Sequence, residues 1–218
     1  MSTPQEANPT PKKRRIHPLF WAGSALLIVL AFFAGYIIVT GRLPFGSPDF
    51  NGLALQSTEP VPDFTLTASN GEPMSLSDLR GKVVLLYFGY TYCPDACPTT
   101  LAQLKKLPPA LGDRAEDVQV VMITVDPQRD TPEALREYLA AFHPSFLGLT
   151  GTAEEIAAAA APFGIYFAAH EGTVASGYLV DHTTSVTAID KDGYIRLGYP
   201  YETPGEDIIA DVRRLVHE

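Results

Sequence analysis

The residues of this chain best suited to chemistry are two cysteines that lie close together. Cys93 and Cys97 stand in the stretch TYCPDACPTT, and the sequence contains no other cysteine. A thiolate attacks disulfides and also binds soft metal ions. The pair therefore has three interpretations: a structural disulfide, a redox couple, or half of a metal site whose remaining ligand comes from elsewhere.

The local sequence favours the two reactive interpretations. A disulfide across so short a loop restrains the unfolded chain little, so it would stabilise the fold weakly, even in an oxidising compartment. Pro98 is sterically tolerated only in the first turn of a helix. We therefore predict that a regular helix begins near Pro98 and that Cys93 to Cys97 form the loop entering it. The helix dipole at that end favours thiolate over thiol for both sulfurs.

A third donor is available in the stretch DHTTSVTAID, where His182 precedes a predicted strand. A lone histidine is more often a surface or hydrogen-bonded residue than a ligand. The predicted topology brings His182 beside the cysteine loop, however, and Asp181 is the candidate to hold it in the ligating tautomer. We interpret the other histidines as surface or hydrogen-bonded residues rather than ligands. They are His17, His143, His170 and His217.

The elements that position these residues alternate between strands and helices. Continuous apolar runs predict buried strands at 81–90 and 118–126, and turn residues predict hairpins at Asn70-Gly71 and at Lys191 to Gly193. Thr131 and Pro132 predict the start of a helix. Further helices are predicted at 98–108, 152–164 and 204–218. This order predicts an α/β fold with a mixed sheet, flanking helices and an N-terminal hairpin.

The N-terminal region predicts a membrane anchor. Residues 19–40 carry no charge over 22 positions and follow the basic run KKRR at 12–15, so they are long enough to span a bilayer with the N-terminus in the cytoplasm. A cleaved signal peptide would have a shorter apolar run and a better cleavage site. We predict a cytoplasmic tail (1–18), a single-pass anchor (19–40) in a bacterial inner membrane, a linker (41–60) and a periplasmic domain (61–218).

The charge of the exported part excludes one class of partner. From Gly41 onward there are 12 Lys and Arg against 24 Asp and Glu, a formal charge of −12. Nucleic-acid binding requires clustered positive charge. We therefore expect no nucleic-acid partner.

Three motifs in order resemble the Sco/SenC family of membrane-anchored copper proteins: YFGYTYCPDACPTTL, TVDPQRDTPEALREYLAAF and VDHTTSVTAID. The resemblance covers about residues 61–218 and implies a thioredoxin-like fold. It also implies one copper ion, Cu(I) or Cu(II), bound by Cys93, Cys97 and His182. The implied role is assembly of the binuclear copper centre in subunit II of cytochrome c oxidase. Other periplasmic copper chaperones and thioredoxin-like reductases are further implied partners.

The residue types agree with copper, because two thiolates and one imidazole form a soft, low-coordinate set. Two other functions remain open. A thiol–disulfide oxidoreductase would reduce the cysteines of the client site, but the spacing is C-x-x-x-C and no proline stands between Asp181 and Asp190. A thiol peroxidase would use Thr91 but has no arginine near in sequence. The leading interpretation is therefore a metal-binding assembly factor rather than an enzyme.

Four residues near the motifs receive secondary interpretations. Tyr92 stands where many Sco/SenC proteins have a histidine, which is not one of the three implied ligands. Asp126 is predicted to cap a strand end, and Asp130 to lie beside a helix start. Asp95, between the cysteines, has three open interpretations: it tunes the site, faces a partner, or is an ordinary solvated acid of the loop.

Overall fold

The computed structural model describes residues 30–32, 34–35, 50–55, 57–171 and 177–218. The chain divides into two units, 1–49 and 50–218. Of the first unit, only 30–32 and 34–35 are described, and they are helical. The predicted tail and most of the predicted anchor lie outside the described residues. Among the residues that are described, no helix combines the length and the apolar character needed to cross a bilayer.

The second unit is built on an eight-stranded mixed sheet in the order β1-β10-β9-β4-β5-β6-β2-β3, with a separate two-stranded sheet of β7 and β8. The strands are β1 (Leu53–Ala54), β2 (Thr65–Ala68), β3 (Pro73–Ser75), β4 (Val83–Gly89), β5 (Val118–Thr124), β6 (Leu147–Thr150), β7 (Phe167–Glu171), β8 (Tyr178–His182), β9 (Val186–Ile189) and β10 (Ile195–Tyr199). Strands β4, β5 and β6 run parallel, and β9 runs antiparallel to β4.

Five α-helices accompany the sheet: α1 (Ala96–Leu104), α2 (Leu107–Leu111), α3 (Pro132–Ala140), α4 (Ala153–Ala160) and α5 (Gly205–His217). The central strand β4 is buried at every position, as its uninterrupted apolar sequence predicts. The predicted cap of α3 is confirmed, because the Thr131 hydroxyl accepts a hydrogen bond from the Ala134 N–H. The hairpins at Asn70-Gly71 and at Lys191 to Gly193 are also confirmed.

The helix after the cysteines differs from the prediction at both ends. It begins at Ala96, so Cys97 lies inside its first turn rather than in the preceding loop. Pro98 fits there because the first backbone N–H groups of a helix have no partner within the helix. The helix ends at Leu104, and the run toward Pro108 forms the separate short helix α2 with proline in its own first turn.

Strands β6, β7 and β8 were not predicted from the sequence. The hairpin of β7 and β8 pairs Phe167 with His182 and Ala168 with Asp181. His182 therefore ends a strand, in addition to preceding β9. The short segments FAAHE and YLVDH lack the strict alternation that identifies a half-buried strand, which explains the omission.

Part of the predicted linker is built into the second unit. Leu53 and Ala54 form β1, paired with β10. The Asp211 carboxylate on α5 is fully buried and accepts hydrogen bonds from the backbone N–H groups of Asn51, at 2.9 Å, and Gly52, at 2.8 Å. From Phe50 onward the chain is thus held against the domain rather than acting as a tether.

Candidate metal centre

Three predicted ligands meet at one end of the sheet. The Sγ atoms of Cys93 and Cys97 and a ring nitrogen of His182 all lie within 4.8 Å of one another. The Cys97 sulfur is 3.6 Å from His182 Nε2, and both cysteines are free thiols. No second group of three such donors within this reach occurs in the part of the chain that the structure describes.

Each ligand is carried by a different local structure. Cys93 lies in the turn after β4, where its N–H donates to the Tyr90 carbonyl at 3.2 Å. Cys97 lies in the first turn of α1, and its N–H donates to the Cys93 sulfur at 3.4 Å. His182 ends β8, 85 residues further along the chain. The three donor atoms thus come together only when the hairpin of β7 and β8 lies beside the cysteine turn.

The two sulfurs have different environments, which corrects the expectation that the helix dipole favours both thiolates. Cys97 is fully buried and Cys93 is partly exposed. Hydrogen bonding by the Cys97 thiol, and then by backbone N–H groups, lowers the pKa of Cys93 to about 4, although burial opposes this. The same contact with Cys93, together with burial, raises the pKa of Cys97. The Cys93 sulfur is therefore the more readily ionised of the two.

His182 is oriented by a backbone carbonyl and not by Asp181. Its Nδ1 lies 3.1 Å from the Thr183 carbonyl oxygen. When Nδ1 carries the proton and donates it to that oxygen, Nε2 keeps an unshared electron pair. Nε2 is the ring nitrogen beside Cys97. Asp181 precedes His182 in β8, so its side chain points to the opposite face, where it pairs with His170 Nδ1 at 3.3 Å. The expected tautomer-holding role of Asp181 is wrong.

Asp130 anchors the cysteine turn. It is fully buried, and it accepts hydrogen bonds from the Thr91 N–H at 3.0 Å, the Thr91 hydroxyl at 2.5 Å and the Thr124 hydroxyl at 2.6 Å. Burial raises its pKa in spite of these bonds. Asp130 therefore joins the end of β5 to the turn that carries Cys93, a more specific role than the predicted place beside a helix start.

Arg129 and Asp126 join that turn to the hairpin that carries His182. The Arg129 side chain forms an ion pair with the buried Asp126, and its NH1 donates to the Tyr178 carbonyl at 3.1 Å. Its guanidinium lies 3.8 Å from the Tyr178 ring centroid and 4.6 Å from that of Tyr92. The Tyr178 hydroxyl also donates to Asp126. Asp126 thus binds both Arg129 and Tyr178, in addition to its predicted place at a strand end. Tyr92 stacks on the same guanidinium, close to Cys93.

Two tyrosines of β4 and the following turn border the ligands. The Tyr90 ring packs edge-on against His182 with centroids 5.7 Å apart, and its hydroxyl accepts a hydrogen bond from the Val180 N–H. The Tyr87 hydroxyl donates to the Cys97 sulfur at 3.3 Å. Four residues around the site were not singled out from the sequence: Tyr87, Tyr90, Arg129 and Tyr178. Tyr87, Tyr90 and Arg129 lie within stretches of the family resemblance, whereas Tyr178 lies outside all three motifs.

The donor set fits a soft metal ion with an open coordination position. Two sulfurs and one imidazole suit copper or zinc, and a structural zinc site would have four protein ligands. Three ligands leave one side of the ion open to a fourth donor. Of the two sulfur-bearing residues, only Cys93 is partly exposed to solvent.

Comparison with known proteins gives a consistent result. The family model described as SCO1/SenC matches residues 54–217. An SCO2-like protein of Rickettsia conorii is 40% identical over 146 residues, which cover 66% of this chain and 71% of that protein.

Solved structures agree with the sequence matches. Bradyrhizobium japonicum ScoI with copper bound has a TM-score of 0.65 and 36% identity, and the match covers 71% of this chain and 98% of that one. BsSco, described as a member of the Sco family of cytochrome c oxidase assembly proteins with a disulfide switch, has a TM-score of 0.59 and 28% identity, covering 76% of this chain and 96% of its own. The predicted thioredoxin-like α/β fold is confirmed.

Proposed function

Since the chain belongs to the SCO1/SenC family, we propose that it is a copper metallochaperone that binds one copper ion through Cys93, Cys97 and His182. The observation that carries this proposal is the convergence of the three donor atoms within 4.8 Å, from segments far apart in sequence. The copper bound by Bradyrhizobium japonicum ScoI, a relative of the same fold, supports the choice of metal.

The site suits both capture and release of the ion. Two thiolates bind Cu(I) strongly, and the imidazole adds the nitrogen donor that Cu(II) prefers. The ion keeps an open side, so a donor from a client can bind before the first ligand leaves. The proposed client is the binuclear copper centre of subunit II of cytochrome c oxidase, and the oxidase-assembly role described for BsSco supports it.

We place the domain on the outer face of the bacterial inner membrane. The support is the uncharged run at 19–40 behind the basic residues 12–15, which orients the chain with its N-terminus in the cytoplasm. This location gives the site access to the part of subunit II outside the cytoplasm and to other periplasmic copper chaperones.

A second candidate function, reduction of the client's cysteines, is favoured by one observation. Cys93 is partly exposed with a lowered pKa, whereas Cys97 is buried behind it. An exposed thiolate with a second thiol behind it is the arrangement that thiol–disulfide exchange uses. The same two cysteines serve both functions, so a test must rest on His182, which only copper binding needs.

Copper titration of the purified full chain tests the proposal. We expect the reduced protein to bind one copper ion per chain and the disulfide form to bind little, because ligation requires free thiolates. His182→Ala should weaken Cu(II) binding by at least about tenfold while leaving the Cys93–Cys97 redox couple largely intact. Binding is measured by competition with a chelator of known affinity.

His170→Ala is the matched control, because His170 lies on the paired strand but contacts Asp181 instead of the sulfurs. It should bind copper as the unchanged protein does. Copper binding by the disulfide form, or normal Cu(II) affinity of His182→Ala, would contradict the assignment and favour the reductase function.

A further inference from the structure

The buried sulfur of the pair has a hydrogen-bond donor that is not a metal ligand. The Tyr87 hydroxyl donates to the Cys97 Sγ at 3.3 Å. Both side chains are completely buried, so water does not compete for this bond. The Cys93 sulfur, by contrast, receives the backbone N–H of Cys97.

The chain leaves room for this contact by means of a glycine. A Cβ atom at Gly89 would lie 2.9 Å from the Cys97 sulfur and 2.6 Å from Tyr87 Cε1, closer than such atoms pack. Tyr87 and Gly89 are two residues apart in β4, so they face the same side of the sheet. The glycine therefore lets the phenol ring and the sulfur share one buried space.

We propose that Tyr87 is a positioning residue that fixes the Cys97 sulfur and withdraws electron density from it through this O–H···S hydrogen bond. The bond stabilises the reduced sulfur more than the disulfide sulfur, because a thiol or thiolate is the better acceptor. It also lowers the energy of the sulfur lone pairs when Cys97 ligates copper, as hydrogen bonds to ligating sulfurs do in other metal sites. The second effect rests on the proposed function, and the first does not.

Tyr87→Phe in the full chain tests the first effect without any metal. The reaction is oxidation of the two thiols by glutathione disulfide, in which two electrons and two protons pass to glutathione and the Cys93–Cys97 bond forms. Loss of one buried hydrogen bond should raise the equilibrium constant for disulfide formation about fivefold. The ratio of dithiol to disulfide is measured by thiol trapping in glutathione buffers of known composition.

Tyr199→Phe is the matched control, since Tyr199 is a buried tyrosine of the same sheet whose hydroxyl donates to Asp211 instead. It should lower stability without moving the thiol equilibrium by more than about twofold. Gly89→Ala provides an independent variant that forces the ring and the sulfur apart, and it should shift the equilibrium toward the disulfide as well. An unchanged equilibrium in Tyr87→Phe, or an equal shift in Tyr199→Phe, overturns the proposal.

Copper absorption spectroscopy tests the second effect. In the Cu(II) complex, the sulfur-to-copper charge-transfer band should move to longer wavelength in Tyr87→Phe, because a sulfur that has lost a hydrogen bond is easier to oxidise. A band at unchanged wavelength would overturn this part. If the unchanged protein binds neither Cu(I) nor Cu(II), the proposed copper function fails, and the glutathione measurement still decides the role of Tyr87.

Discussion

At the scale of single residues, Cys93 and Cys97 carry the same functional group in opposite surroundings. Cys97 is buried and receives a phenol hydroxyl, whereas Cys93 reaches solvent and has a lowered pKa. A client or a chelator can therefore approach only the Cys93 sulfur directly. The proposed copper function therefore predicts that a client displaces the Cys93 sulfur first, while Cys97 and His182 still hold the ion.

The lowered pKa of Cys93 predicts an unusual pH profile for its alkylation. Iodoacetamide reacts with the thiolate, so the rate follows the ionised fraction. With a pKa of about 4, Cys93 in the reduced, metal-free protein should react at a nearly constant rate from about pH 6 to pH 8. An ordinary thiol would instead gain about tenfold in rate per pH unit below its pKa of about 8.5. The labelled residue is identified by peptide mass spectrometry.

Cys97→Ala is the control for the cause of the shift. The thiol of Cys97 makes the largest contribution to the lowered pKa, so this variant should restore part of the ordinary rise of rate with pH. A rate that climbs steadily through neutral pH in the unchanged protein would contradict the prediction.

The three proposed ligands were predictable from sequence, and the residues that contact and position them mostly were not. Cys93 and Cys97 stand out because they are the two cysteines of this sequence, and His182 because it lies in the third of three motifs that occur in the order of the family resemblance. Tyr87 lies in a continuous apolar strand, where an aromatic residue is ordinarily part of the core. Its role depends on the distance to a sulfur from a different element, and no local pattern records that distance.

At the scale of elements, the site depends on the docking of one hairpin onto one turn. Arg129 contacts both, through the Tyr178 carbonyl and ring on the hairpin and the Tyr92 ring on the turn. Asp126 holds Arg129 in place. This side-chain cluster therefore fixes the separation between His182 and the two sulfurs.

Arg129→Met tests this arrangement. Methionine keeps much of the side-chain volume but loses the ion pair and the hydrogen bond, so His182 should be held less firmly. We expect copper affinity to fall about 10- to 100-fold, as it does when residues behind a metal ligand are removed. The measurement is chelator competition, as for His182→Ala.

Arg136→Met serves as the control, because Arg136 also donates to a backbone carbonyl, that of Ser69, but contacts neither the turn nor the hairpin. Its copper affinity should be unchanged. Equal affinities in the two variants would show that Arg129 does not position the site.

The elements that were predicted correctly carry strong local signals. Strands β4 and β5 are continuous apolar runs, and α3 has both a threonine cap and a first-turn proline. The hairpin of β7 and β8 has neither a continuous apolar run nor a capping residue. It is stabilised by strand pairing and by the contacts of Tyr178 with Asp126 and Arg129. Those are tertiary contacts, and sequence patterns of this length do not encode them.

At the scale of the whole molecule, Asp211 connects the two ends of the second unit. Its buried carboxylate on the C-terminal helix accepts hydrogen bonds from Asn51 and Gly52 near the start of the unit. Asp211→Ala removes these bonds and leaves backbone N–H groups without that acceptor. We expect the free energy of unfolding to fall by about 2–4 kcal/mol, measured by urea denaturation.

Glu206→Ala is a suitable comparison, since Glu206 is an exposed carboxylate in the first turn of the same helix. Its effect should stay within about 1 kcal/mol, the size of a helix-dipole contribution. Copper binding should be retained in both variants. Equal losses of stability in the two variants would mean that Asp211 does not fasten the N-terminal segment.

The short outer strands of the eight-stranded sheet have a consequence for behaviour at high concentration. A long open edge would act as a template for strands of other molecules. Here β1 has two residues, and β3 has three and begins with Pro73, which has no backbone N–H to donate. In the described part of the chain, this sheet thus ends on both sides in a strand too short to recruit a neighbour. We infer that crowding many copies together should not join them edge to edge through this eight-stranded sheet.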